Sequence, residues 1–325
     1  MQKKRILINL SIASLLTLSS SIVLASAFQT FEENASGLGN AYAGMAVNDN
    51  NDATTESSNP AGMVLLTKPE VDVSTVVIDA HSQFNGTHAT NYDGEDITNS
   101  GQRISYPLGV NYIPAVHYVF PIDQKWFLGF GLTIPFGLSA SCSKTSMVRY
   151  FATNSKIMTL NIGPDIAYRL TPKFSLGAGV GIQYLSTELD QQIDLGELYT
   201  NSGTTLSMDG TMKNHATGWS WSGVVGALYQ FSKQTRVGFA YHKPVSYRLT
   251  GASKVYIPST LNSLQRQIAE NNGFVNNRIT THFILPEMAV LSFYQGLSSQ
   301  WSTVGTISYT RWSRFKDLTI RFHSK

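Results

Sequence analysis

"FSLGAGVGIQY", Phe174–Tyr184, decides the fold class. Phe174, Leu176, Ala178, Val180, Ile182 and Tyr184 take alternate positions, with Ser175, Gly177, Gly179, Gly181 and Gln183 between them. A period of two places the two sets on opposite faces of a β-strand. The preceding stretch repeats the pattern. Met158, Leu160, Ile162, Ile166, Tyr168 and Leu170 alternate with Thr159, Asn161, Gly163, Asp165 and Arg169. Pro164 lacks a ladder donor, so a bulge or irregular pairing is expected there. Further outward, Trp126–Phe136 and Trp219–Phe231 alternate as well. So does Val237–Arg248, read as one row with Val237, Phe239, Tyr241, Val245 and Tyr247 on the apolar face. Segments near 70–80, 109–120, 281–295 and 301–322 bring the count to about nine strands.

Alternation alone also suits a soluble sandwich. Here aromatics such as Tyr168, Tyr184, Trp219 and Tyr229 stand at the ends of the apolar rows, where interfacial girdles belong. The opposite faces carry Gly, Ser, Thr and Asn, as a polar lumen does. The rows run for about ten residues, the span of a tilted membrane strand. Charged residues make up only 14% of the chain, against roughly a quarter in soluble domains. The expected class is all-β, a transmembrane antiparallel barrel. After the N-terminus there is no run of 18 apolar residues, so spanning helices are not expected.

Lys3, Lys4 and Arg5 precede an apolar stretch from Ile6 to about Leu18, followed by small residues. This reads as a secretory signal over 1–27, cleaved after Ala25 or Ala27. Those positions hold three basic and no acidic residues, so the remainder carries 21 of each and no net charge. No basic patch is left to suggest nucleic acid. Cys142 is the single cysteine, so no internal disulfide is possible.

Residues 28–67 do not alternate. They contain "SGLGNAYAG", Ser36–Gly44, and the polar, turn-rich "NDNNDATTESSNPAG", Asn48–Gly62. Such a tract is either a tail or a plug. Its text, "FQTFEENASGLGNAYAGMAVNDNNDATTESSNPAGM", resembles the N-terminal hatch of the FadL/TodX-type outer-membrane transporters of long-chain fatty acids and aromatic hydrocarbons. Two further blocks, Arg149–Tyr184 and Leu285–Leu318, are collinear with that family. The resemblance implies a barrel that has 14 strands in the family, about nine of them read here over 68–325, plugged by a hatch at 28–67. It implies a hydrophobic ligand that passes the hatch and leaves sideways through the wall. Phe28 matches a position where ligand is held, and Asn59, Pro60 and Ala61 match the hatch turn. Outer-membrane lipid and the outer-membrane assembly machinery are the implied partners, with the protein a monomer and no cofactor expected.

The family pattern continues past "WSRFKDL", so the chain is expected to lack C-terminal strands. A carboxylate ligand would want a basic partner, and Arg149, Lys243 and Arg248 are candidates by residue type. "TLNSLQRQIAENNGF", Thr260–Phe274, has Leu261, Leu264 and Ile268 at helical spacing, suggesting a loop helix. No G-x-S-x-G, P-loop, H-E-x-x-H or C-x-x-C motif occurs, and the seven histidines lack metal-ligand spacing. An enzyme, for instance a lipase, is therefore disfavoured. A non-specific porin or an adhesin is the stronger alternative, because barrels host many functions.

Overall fold

The computed structural model describes residues 28–90, 94, 96–97, 103–105, 107–195, 209–315 and 318–323; the signal assigned to 1–27 lies outside them. The strands are β1 (Glu70–Ala80), β2 (Gln83–Asn85), β3 (Arg103–Ser105), β4 (Gly109–Pro121), β5 (Trp126–Thr133), β6 (Gly137–Ser141), β7 (Asn154–Arg169) and β8 (Phe174–Asp194). They continue with β9 (Asp209–Ser232), β10 (Thr235–His242), β11 (Val245–Tyr256), β12 (Asn277–Leu285), β13 (Met288–Gly296), β14 (Ser302–Thr310) and β15 (Arg321–His323). Thirteen form one antiparallel sheet, and β2 pairs with β3 apart from it.

The expected count of about nine is corrected to these thirteen because four rows are interrupted. β5 and β6 both pair with β7, on either side of Ile134–Phe136. β10 and β11 both pair with β9, and β13 and β12 lie beside them in turn. β14 and β15 extend the series against β13 and β12. Three of the four interruptions contain a proline, Pro135, Pro244 or Pro286, which cannot donate to a ladder. At Pro164 the β7–β8 pairing lapses over two residues, yet the register on either side is unchanged, so no bulge forms.

The polarity of the sheet is inverted relative to a soluble protein. Leu176, Val180 and Ile182 are 44%, 60% and 41% exposed, whereas Ser175 and Gln183 are 1% and 2% exposed. The apolar row faces out and the polar row faces in. On β9 the outward row runs from Trp219 through Val225 to Tyr229 and Phe231. The twelve rises from Trp219 to Phe231, at ~3.3 Å each and a tilt near 45°, span roughly 28 Å of height, close to the ~25 Å apolar band of outer-membrane barrels. The tilted ring pair Tyr184–Trp219 marks one rim, at 4.9 Å between centroids, and Trp126–Tyr168, at 4.4 Å, the other.

One expectation about faces is wrong. Val245 and Tyr247 do not join Phe239 on the outside; they are 5% and 1% exposed. β10 pairs Arg236 with Gln230 and His242 with Val224, whereas β11 pairs Thr250 with Thr217. The register shifts by one residue at Lys243-Pro244, and a one-residue slip sends every later side chain to the other face. The neighbouring pass does likewise at Pro286-Glu287. Phe283 and Leu285 point inward before it, and Met288 and Val290 point inward after it.

The N-terminal tract lies against the inward face. It comprises 3₁₀ turns at Ser36–Asn40, Met45–Val47 and Pro60–Leu65 and the short helix α1 (Thr55–Ser58). The Gly44 amide donates to Thr306 Oγ1 on β14 (2.8 Å), and the Ala53 amide donates to Glu70 Oε1 on β1 (3.2 Å). The chain between these residues spans at most roughly 30 Å. A flat sheet of this many passes would separate β1 from β14 by roughly 38 Å at ~4.8 Å per spacing. The sheet is therefore curled around the tract. Among the described residues no ladder joins β1 to β14.

The expected loop helix is α2 (Ser263–Asn271), started by an Asn262–Gln265 capping box. Ala269 is buried and Ile268 partly so, and with Leu261 just ahead of the helix they pack against Ile193, Met212 and Val255. Leu264, expected on that side, is 64% exposed.

Candidate functional site

The interior surface is built where the N-terminal tract meets the polar face of the sheet. Asn59 starts the third 3₁₀ turn: its Oδ1 accepts from the Ala61 amide (3.1 Å), with Pro60 in the first turn where no donor is needed. Asn59 Nδ2 donates to Ala46 O (2.6 Å) and, across to β9, to Ala227 O (3.2 Å). Ser175 Oγ on β8 donates to Ala61 O (3.0 Å). Asn59, Pro60 and Ala61 thus come together as one anchor between the tract and the wall.

Glycines on the inward face provide the clearance. A Cβ at Gly177 would sit 2.5 Å from the Pro60 carbonyl carbon, and one at Gly129 would sit 3.0 Å from Glu56 Cβ. Gly177 therefore marks where the wall meets the tract's backbone, and Gly129 and Gly131 where it makes room for the Glu56 side chain. Two arginines missed at the sequence level hold the flanks. Arg236 donates to Val47 O (2.8 Å) and Asn48 O (2.9 Å) and lies 4.0 Å over the Tyr294 ring. Arg169 donates to Val64 O and to Gln124 O. Both stand on the polar side of an alternating row, which was the one available signal.

Phe28 is 6% exposed at the centre of an interior aromatic cluster. Its ring centroid lies 6.0 Å from Phe136, 5.8 Å from Phe283, 5.1 Å from Trp312 and 5.3 Å from Phe315. Val245, Tyr247, Leu249 and Leu185 continue the apolar lining, and Tyr247 donates to Gln183 Oε1 at 2.6 Å. The backbone beside Phe28 reaches the interruption in the wall: Thr30 N donates to Pro135 O, and Gly137 N to Phe28 O, both at 3.0 Å.

Next to it is a cavity of about 100 Å³ lined by Glu33, Glu56, Asp165, Gln183, Lys243 and glycines of β7 and β8, among others. Glu56 Oε1 and His117 Nδ1 are hydrogen-bonded at 2.6 Å, with both side chains at most 1% exposed. Burial pushes the Glu56 carboxyl up to about 8, and Glu33 up to about 7 despite the nearby His117. Asp165 was visible only as a polar member of an alternating row, and His117 only as one of seven histidines without metal-ligand spacing.

The three basic candidates separate. Lys243 lines the cavity, its Nζ donating to Trp221 O and Pro244 O. Arg149 pairs with Asp209 (2.7 Å) and Tyr150 (2.9 Å) in the loop region. Arg248 lies on the outer face, because Tyr247 and Leu249 point in.

The family model described as "Outer membrane protein transport protein (OMPP1/FadL/TodX)" matches residues 16–325. The chain is 26% identical over 333 residues to the long-chain fatty acid transport protein of Salmonella typhi, covering 99% of this chain and 74% of that one. It is 26% identical to outer membrane protein P1 of Haemophilus influenzae, covering 92% and 68%. Among solved structures it is similar to a Pseudomonas aeruginosa FadL homologue, with TM-score 0.80, 23% identity, and coverage of 91% and 72%. It is also similar to the Ralstonia pickettii toluene transporter TbuX, with TM-score 0.57, 20% identity, and coverage of 83% and 70%.

Proposed function

We propose that this chain, which belongs to the OMPP1/FadL/TodX family of outer membrane transport proteins, carries long-chain fatty acids or similarly hydrophobic molecules through the outer membrane. The interior aromatic cluster around Phe28 is the observation that carries this reading. A water-filled porin gains nothing from burying Phe28, Phe136, Phe283, Trp312 and Phe315 inside its wall. An oily ligand does, at about 0.8 kcal/mol for each methylene taken from water. The relatives named for fatty acid and for toluene support the substrate class.

In this reading residues 28–67 act as a hatch. Phe28 occupies the apolar site until a ligand takes its place, and Asn59, Pro60 and Ala61 hold the hatch turn. The interruption of the wall at Ile134–Phe136 supports a sideways exit there, since residues 28–30 supply backbone bonds on both sides of it. The ligand would enter the bilayer without crossing bulk water. Of the three basic candidates we assign head-group contact to Lys243, the one that lines the interior cavity.

The test is uptake of labelled oleate, and separately of labelled toluene, by vesicles containing the reconstituted chain. Faster uptake of at least one over that of a water-soluble sugar is expected, with slower uptake on Phe28→Glu. Equal permeability to all three would leave a non-selective pore.

A further inference from the structure

The outer face carries a second feature, unrelated to the interior. The connections 122–125, 170–173, 233–234 and 297–301 are short and lie at one end of the sheet; the long ones lie at the other. Toward the long-loop end, β9, β11, β12 and β15 extend beyond the Tyr184–Trp219 rim. Their outward side chains at or beyond that rim include Lys213, Arg248, Lys254, Arg278 and Arg321, all exposed.

The registers assemble these cations into a patch. Lys213 is directly opposite Lys254. Ala252 is opposite both His215 and Arg278, and Arg278 is opposite His323. Arg248 stands two residues from the Thr250–Thr217 pair, at the level of Trp219. On these four strands the sole carboxylate is Asp209, already held by Arg149 at 2.7 Å. On the neighbouring β8, Glu188 and Asp190 flank the patch, and Asp190 is opposite Lys213. Among the described residues, Arg248, Lys254, Arg278 and Arg321 have no ion-pair partner.

Like charges opposed across a ladder are destabilising unless something neutralises them. The height of the patch says what that is. His215 and Arg278 lie four residues above Trp219, and Lys213 six, or roughly 9 to 14 Å of height with the same rise and tilt. That is where polar lipid headgroups stand against a barrel wall, outside the hydrocarbon. We propose that this patch binds phosphate-bearing lipid headgroups in the leaflet on the long-loop side. Arg248, Arg278 and Arg321 donate forked hydrogen bonds to phosphate oxygens. Lys213 and Lys254 share a phosphate between them as point charges, and Tyr256 beside Lys213 packs on the headgroup's apolar edge.

The test uses the full chain in neutral detergent micelles doped with diphosphorylated lipid A or with its phosphate-free form. Lipid retained per protein after washing is read by mass spectrometry. The wild type should retain the phosphorylated form roughly a hundredfold better, from about three cation contacts, and lose it as salt rises. Lys213→Glu, Lys254→Glu and Arg278→Glu together should abolish the preference. The matching Gln triple variant should reduce it, and serves if the reversed one does not fold by circular dichroism. Equal retention of the two lipids by the wild type, or an unchanged preference in a folded variant, would overturn the proposal. The interior is untouched, so oleate uptake is a separate readout.

Discussion

Gly177→Ala tests whether the glycines of the inward face exist to let the N-terminal tract sit down. The added Cβ would lie 2.5 Å from the Pro60 carbonyl carbon. An ordinary contact needs about 3.4 Å or more, so the tract must lift by roughly 0.9 Å. The obstacle is backbone and cannot rotate away. That lift carries the Ser175–Ala61 (3.0 Å) and Asn59–Ala227 (3.2 Å) hydrogen bonds beyond useful length. Two hydrogen bonds at about 1 kcal/mol each, with 1 kcal/mol or more of overpacking strain, give roughly 2–4 kcal/mol. The ladder itself accepts alanine, since Gly177 faces Ala167 and Gly226 across its strand neighbours. Hydrogen exchange of amides 59–66 in the membrane-inserted chain should speed up roughly 30- to 700-fold. Amides of β8 and β9 should keep their protection. Unchanged exchange at 59–66 would refute the clearance argument, and general loss across β8 would show that alanine damages the strand instead.

Four further outcomes follow from the same geometry. Tyr247→Phe leaves buried Gln183 Oε1 without its donor and should destabilise by about 1–3 kcal/mol in denaturant titration; a neutral result would mean the pair is idle. Val180→Arg puts a charge midway between the aromatic rims on the outward face and should cost roughly 2–4 kcal/mol of membrane folding, against little for Lys213→Arg above the rim. Arg236→Ala removes the bonds to Val47 O and Asn48 O, so a non-specific protease, needed because 28–67 holds no Lys or Arg for trypsin, should reach the tract sooner while the sheet stays resistant. Seating should also depend on pH. Burial raises the Glu56 carboxyl to about 8, so its contribution is full below about 4.5 and is lost as pH rises through about 8. Proteolysis of the tract should accelerate between about pH 5 and 8 and level off above that, and Glu56→Gln should flatten that rise.

The outer wall was legible because lipid contact enforces a strict period of two, as in Leu176, Val180 and Ile182. Alternation also exposed the polar face, including Asp165, but not what that face touches. Glu56 and His117 are 61 positions apart, and nothing local links them. The reading of Tyr247 as an outward residue failed for a physical reason. A single extra residue at Lys243-Pro244 inverts all that follows, and Pro244 was the only mark of it. Arg248 fell on the wrong side of the wall through the same slip. Leu264 matched helical spacing but not the buried side of α2, because Leu261 and Ala269 settle the helix's rotation through contacts with β8, β9 and β11.

The seat of the N-terminal tract has a consequence in time. Gly44 is bonded to Thr306, 262 positions later in the chain, while most strands pair with a neighbour reached by a short turn. Hairpins can form in sequence as they are made, but long-range closures come late. Gly44 must therefore wait for β14 before it docks. Until then, the polar row of the sheet and the buried half of the tract are both open to water. A lesion in β14 would thus show itself more than 200 positions away, as an N-terminal tract that never settles against the wall.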